Sequence, residues 1–325
     1  MFFFYNIEMS QSALLPLNKK RYRFAFLKSS IAVFKWTFFR IKPQTHTFLQ
    51  HKGLSLEKGN EILNKMLSQP EPFAAVRIGA VEMGALHNYE KILLGIKKTF
   101  KPIVRYSMKN NAGFFPADDK HLTFYAKHFM KDAKKTDVFG ISGIHMEAYM
   151  FQRYFGTQQV IPYEAFEPLR GDWIQQLAGK KVLVVSPFAE DIERQYQRRK
   201  QLFPQGVLPE FTLITVKAVQ TIAEQSDPRY ATWFDALDAM KVAIMKHDFD
   251  VALIGAGAYG SPLCWFVKTM GKQAIQTGGA TQTMFGIIGR RWEQRAHVSR
   301  YFNEYWIRPT QKPQGAEKVE HGAYW

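Results

Sequence analysis

A series of short apolar runs, each the length of one β-strand and closed by glycine, serine or proline, alternates with helical segments along most of this chain. The runs are FAAVRIG (73–79), DVFGIS (137–142), a short one near QVIPY, KKVLVVSPF (180–188), FTLITVKAV (211–219), DVALIG (250–255) and KQAIQTG (272–278). Between them lie LEKGNEILNKMLSQ (56–69), PADDKHLTFYAKHFMKDAKK (116–135), HMEAYMFQRYF (145–155), AEDIERQYQRRKQLF (189–203) and ATWFDALDAMKVAIMKH (231–247). Strands alternating with helices predict an α/β fold, a doubly wound, mostly parallel Rossmann-like sheet. The predicted division is a basic aromatic arm (1–52), the α/β domain (53–310) and a Pro/Gly-rich surface tail (311–325). A hydrophobic content of 46% excludes wholesale disorder. The single cysteine, Cys264, excludes a disulfide framework within the chain, which fits a reducing cytoplasm.

The net charge of +16 is concentrated in the arm, where nine Lys or Arg face one acid, Glu8. Such a field draws an anionic partner. No recognition helix, RNP-type strand or zinc module points to nucleic acid. FFFY precedes any positive charge, so no signal peptide is expected. The stretch FAFLKSSIAVFKWTFF (24–39) is interrupted by Lys28 and Lys35 and is too short to span a bilayer. Arg21, Lys28, Lys35 and Lys42 recur every seven residues and form one basic stripe. Two readings stand for residues 1–42: a helix lying on an anionic membrane surface, which would place the protein peripherally on the inner face, or a helix packed on the domain.

Gly255, Gly257 and Gly260 in ALIGAGAYG spell G-x-G-x-x-G after a strand, with Ser261 predicted as N-cap and Pro262 in the first turn. A helix start of this kind is an anion site whatever the ligand. A nicotinamide-dinucleotide site also needs an acid at the end of the next strand. Gln276 and Thr277 stand there instead, and the next acid is Glu293. The glycines serve a dinucleotide, serve another phosphate, or only permit a tight turn. A second glycine turn, GGATQ (278–282), follows the next strand, and in a parallel sheet both turns reach the carboxyl edge. Two adjacent anion cradles suit a diphosphate. Gly255, Gly257, Ala258, Tyr259, Gly278, Gly279 and Thr281 are the candidate contacts, and Gln282 is a further hydrogen-bonding group.

FAAVRIGAVEMGAL (73–86) puts Arg77 within an apolar strand and Glu82 just beyond it. Both are costly to bury unless paired or liganded, so they form an ion pair or face a ligand at the sheet edge. R-I-G-A-V-E (77–82) resembles the R-F-G-D-G-E signature of bacterial glycosyltransferases with the GT-D fold. LIGAGAYGSPLCWFVKTMGKQAIQTGG resembles the later strand–glycine loop–helix–strand of that family. GGATQTMFGIIGRRW through NEYWIRP resembles a divergent group associated with surface-polysaccharide assembly. The resemblance spans roughly residues 55–292, with specific motifs at its two ends. It implies transfer of a sugar from a nucleotide sugar to a glycan or lipid-linked acceptor, with Arg77, Gly79 and Glu82 matching the signature. It also implies a carboxylate pair near Mg²⁺ or Mn²⁺, but Ala80 replaces the first acid, which leaves Glu82 the single acidic ligand. Arg291, with Arg290, either neutralises the diphosphate in place of a metal or is solvated surface charge. The alternatives are a non-catalytic nucleotide- or glycan-binding member of the same fold and an NAD-dependent oxidoreductase. Asn110, Asn111 and Gly113 form either a sugar-binding loop or a plain turn; His145 is a candidate base, and Ser186 and Glu190 are expected at the same edge.

Overall fold

The computed structural model describes residues 14–39, 47–156, 159–222, 227–318 and 322–325. A small antiparallel hairpin, β1 (Thr47–Phe48) and β2 (His51–Lys52), precedes the main sheet. Seven parallel strands follow: β3 (Ala74–Arg77), β4 (Val138–Ile141), β5 (Gln159–Pro162), β6 (Lys181–Ser186), β7 (Thr212–Lys217), β8 (Val251–Ile254) and β9 (Gln273–Ile275). Their order is β5-β4-β3-β9-β8-β6-β7. Each apolar run marked in the sequence supplies one of them. The chain leaves β3 toward β4 and β5, crosses the sheet to β6 and β7, and returns through β8 to set β9 against β3. The β3–β9 junction is therefore where the winding reverses, the place at which open parallel sheets bind ligands.

Every residue of β4, β8 and β9 is buried, as strands covered on both faces must be. Successive residues alternate between two cores: Val76, Leu183 and Ile254 face one, Ala75, Val184 and Leu253 the other. The helices Ala80–Leu93, Asp119–Asp132, Trp233–Met245 and Gly260–Thr269 cover the first face. Leu56–Leu67, Ala189–Tyr196 and the segment after β9 cover the second. Ser55 caps its helix through the Lys58 amide, and Thr232 with Asp235 forms a capping box. The helix expected from Pro116 starts at Asp119, because Asp118 accepts from the His121 amide and fixes the boundary there.

The basic arm is one helix, Lys19–Phe39, with two unlike halves. Tyr22, Ala25, Phe26, Ser29 and Ser30 repeat at helical spacing and meet the domain. Tyr22 is buried, with its hydroxyl 2.8 Å from His87 Nε2. Ser29 Oγ accepts from the Met146 amide at 2.8 Å, and Ser30 Oγ lies 3.2 Å from His145 Nε2. Tyr22 thus belongs to the core, so the docked half of the helix is part of the domain rather than an appendage ending at residue 52. Residues 31–39 are exposed throughout.

The docking contact carries a pH dependence. Burial, followed by the charges of Lys91, His145 and Lys101, pushes His87 down to about 3. A histidine with a depressed folded value is protonated first in the unfolded chain, so stability is lost as pH falls below about 6.5 and is unaffected above it. The slope contributed by His87 is at most about 1.4 kcal/mol per pH unit. Denaturant unfolding between roughly pH 7 and 4 should show a shallower loss for His87→Gln than for the native chain. Equal slopes would contradict this assignment.

Candidate functional site

A cavity of about 550 Å³ opens at the carboxyl edge of the sheet, and residues following all seven strands line it. This volume lies in the range of small-molecule and cofactor sites. Arg77 ends β3 and Gly79 follows it, Ser142 follows β4, Tyr163 follows β5, Ser186 ends β6 and Thr221 comes after β7. The turns Gly255–Tyr259 and Gly278–Gln282 enter after β8 and β9.

The glycines of the first turn have separate reasons. A Cβ on Gly255 would collide with Thr281 Oγ1 and lie 2.7 Å from the Gly278 carbonyl oxygen, so this glycine lets the two turns touch. A Cβ on Gly260 would lie 2.6 Å from Gln276 Nε2. Gly257 alone of the three is exposed, with φ of +52° and open space in the Cβ direction. No backbone carbonyl accepts from the Gly257 or Ala258 amide among the described residues, as expected for the start of a helical turn. The turn Gly257–Tyr259 runs directly into the helix Gly260–Thr269, so Ser261 lies inside the first turn rather than at the N-cap. Its hydroxyl bonds to Gln276 Oε1 at 2.9 Å and to the Arg77 carbonyl at 3.3 Å. Tyr259 stacks on Trp233 at 4.5 Å, so its ring packs in the core.

The second turn is more internally committed. The Thr281 hydroxyl is buried against Thr277 Oγ1 (2.6 Å) and the Gly278 carbonyl (2.7 Å), which occupies the group expected to meet a ligand. Gly279 gives room to the Tyr324 ring. Gln282 donates to the Ile287 and Tyr324 carbonyls, while its buried Oε1 has no partner among the described residues. Gln282 is among the residues that line the cavity.

Arg77 supplies positive charge to this wall. Its guanidinium packs on the Cα of Gly278 and lies 5.6 Å from the Tyr163 ring centroid. No ion pair joins Arg77 to a carboxylate among the described residues, so the Arg77–Glu82 pair left open by the sequence does not form. Glu82 instead folds back over Gly79, at the third position of the helix Ala80–Leu93, where its own backbone amide donates to it. Burial raises its pKa, opposed by that hydrogen bond and by the charge of Arg77. Arg291 reaches the same cavity, 3.1 Å from the Tyr324 hydroxyl and over its ring at 4.8 Å. Arg295 also lines it, whereas Arg290 does not.

Two groups missed in the sequence complete the wall. The tail expected on the surface returns to the site: the Ala323 carbonyl accepts from the Arg291 amide at 2.9 Å, and Tyr324 and Trp325 line the cavity. Tyr163 and Phe188 are the others, and only their place at strand ends hinted at them. Asn111 and Gly113 reach the cavity, while the Asn110 side chain turns back to the Tyr106 carbonyl. His145 is held by Ser30 and faces the arm. Glu147, pushed up to about 7 by burial, accepts from the Ser142 and Gly143 amides and ties down the loop after β4. Glu190 pairs with Lys217, away from the cavity. Cys264 is fully buried in the core.

The donor set does not fit a protein-held divalent cation. Among the described residues no three His, Cys, Asp or Glu side chains come together. The other cavity acid, Glu167, is already paired with Arg170 and His297. Nor is there a ribose acceptor for a nicotinamide dinucleotide, since Gln276 Oε1 accepts from Ser261 and from the Arg77 amide at 3.2 Å. No family model, curated protein or solved structure matches this chain. The site is therefore read from its own geometry.

Gly255→Ala should push the two turns apart and cost roughly 1–3 kcal/mol, as overpacking in tight interiors does. Urea denaturation measures it. A change below about 0.5 kcal/mol, the range of surface substitutions, would contradict the close approach.

Proposed function

We propose that this chain is a glycosyltransferase-like enzyme that holds a nucleotide sugar in the carboxyl-edge cavity and transfers the sugar to a glycan or lipid-linked acceptor in surface-polysaccharide synthesis. The observation that carries the reading is the Arg77 guanidinium, without an ion pair among the described residues, in one cavity with the Gly257 turn, whose first amides meet no described backbone carbonyl, at the winding reversal of a parallel sheet. A diphosphate needs such a wall: fixed cations and N–H groups aimed at oxygens that gain charge. In the transfer, the bond from the sugar anomeric carbon to the diphosphate oxygen breaks and the electron pair leaves with the diphosphate. The acceptor oxygen bonds to the same carbon, and its proton passes to a base. Arg77 and Arg291 stabilise the leaving charge, and Glu82 is the candidate base. Its raised pKa makes the carboxylate a better proton acceptor than an exposed one.

One observation favours a second reading, a non-catalytic binder of the same ligand. The Glu82 carboxylate is turned over Gly79 and bonded to its own backbone, a geometry that also serves only the helix start. The reading as an oxidoreductase lacks its ribose acceptor, as described above. No described helix is long and apolar enough to cross a membrane. We place the enzyme peripherally on the inner membrane face, where a lipid-linked acceptor would lie.

Glu82→Gln separates the two readings. A carboxyl whose folded pKa is raised stabilises less as pH rises above the ordinary glutamate value, and no paired cation is orphaned by removing it. The variant should therefore melt no lower than the native protein at neutral pH. Transfer should fall by at least about 100-fold. A lower melting temperature with unchanged transfer would make Glu82 structural and remove it from the mechanism.

A further inference from the structure

The helix Lys19–Phe39 changes character at Ser30. Up to that point one face is docked; beyond it Ile31, Val33, Phe34, Trp36, Phe38 and Phe39 are all exposed, with Phe38 at 68% and Phe39 at 65%. These residues point in every direction around the axis, and Lys35 is the single charge among them. A helix segment apolar all round needs an apolar medium rather than one apolar partner face. The docked half is cationic: Lys19, Lys20, Arg21, Arg23 and Lys28 crowd it around the exposed Phe24 and Leu27, with no acid anywhere on the helix. Apolar tip and cationic base match the two layers of an anionic bilayer surface.

Its position is equally specific. Tyr22 meets His87 midway along the helix Ala80–Leu93, whereas Ser29 and Ser30 meet Met146 and His145. The latter pair lies on the loop that brings Ser142 and Ile144 into the cavity wall. The helix thus runs toward the carboxyl edge, where the cavity lies.

We propose that residues 31–39 insert into an anionic lipid surface and set the cavity mouth against it. Nine helical residues extend about 13 Å, enough to enter one leaflet of a hydrocarbon core about 30 Å thick without crossing it. Lys28 and its neighbours then sit among the headgroups. The proposal rests on the reading of the site only in bringing a lipid-linked acceptor to the cavity; the insertion itself is measured without nucleotide.

The test is sedimentation of the full chain with phosphatidylcholine vesicles with and without phosphatidylglycerol. The native protein should sediment with the anionic vesicles, less so at high salt, and the fluorescence difference between it and Trp36→Phe should shift to the blue. The triple variant Phe34→Ser, Phe38→Ser, Phe39→Ser should bind at least about tenfold more weakly. Its melting temperature and nucleoside-diphosphate binding should be unchanged, because all three residues are exposed. Equal vesicle binding by the triple variant would overturn the proposal. So would a native dimer that this variant dissolves, with no vesicle binding by either protein, since the tip would then cover a second copy of the chain. Vesicle binding without any nucleotide response would retain insertion and reject the cavity reading instead.

Discussion

The Gln276 side chain holds together the part of the molecule on which everything else at the carboxyl edge depends. Its amide oxygen accepts from the Arg77 backbone of β3 and from Ser261 on the helix after β8, while Gln276 itself directly follows β9. Three elements distant in sequence are fixed by one buried amide. The cost of burying such a group unpaired is about 1–3 kcal/mol, so the clamp selects one relative position for the strands. That position brings the β8 and β9 turns into contact, leaves no room for a Cβ at Gly255 or Gly260, and sets the Arg77 guanidinium against Gly278.

The electrostatics of the cavity follow from this placement. Arg77 is kept from Glu82 because the carboxylate turns to its own helix start, so one wall retains uncompensated positive charge. The C-terminal segment fixes Arg291 under Tyr324 in the same cavity. A cavity with cations and free amides on one side and aromatic rings on another is built for an anion attached to a flat or ring-shaped group. The docked arm serves the same edge through Ser29 and Ser30, which brace the loop after β4.

How far this was legible in the sequence depended on the range of the forces involved. Strands and helices follow local periodicity, and each apolar run from FAAVRIG to KQAIQTG forms its strand. The carboxyl-edge location of both glycine turns follows from a parallel sheet. The individual glycines were not legible, because G-x-G-x-x-G records small residues without saying what approaches them. Gly255 and Gly260 make room for neighbours inside the protein, and Gly257 alone faces outward. Ser261 resembles an N-cap until Gln276, just past the following strand, is seen to engage it. Tyr22 and Tyr324 were missed for a similar reason: their partners His87 and Arg291 lie 65 and 33 positions away. No local pattern encodes such a contact. A Pro/Gly-rich tail reads as surface chain even when its last residues form a wall.

The central claim is that this wall binds a diphosphate. Equilibrium titration with nucleoside diphosphates and, separately, NADH, on the native chain and on Arg77→Gln, tests it most directly. The account predicts saturable binding of a nucleoside diphosphate, competed by the matching nucleotide sugar and weakened at least about tenfold by the substitution, as loss of one charge-assisted contact requires. Tight NADH binding with no response to any nucleoside diphosphate, or diphosphate binding indifferent to Arg77, would contradict it.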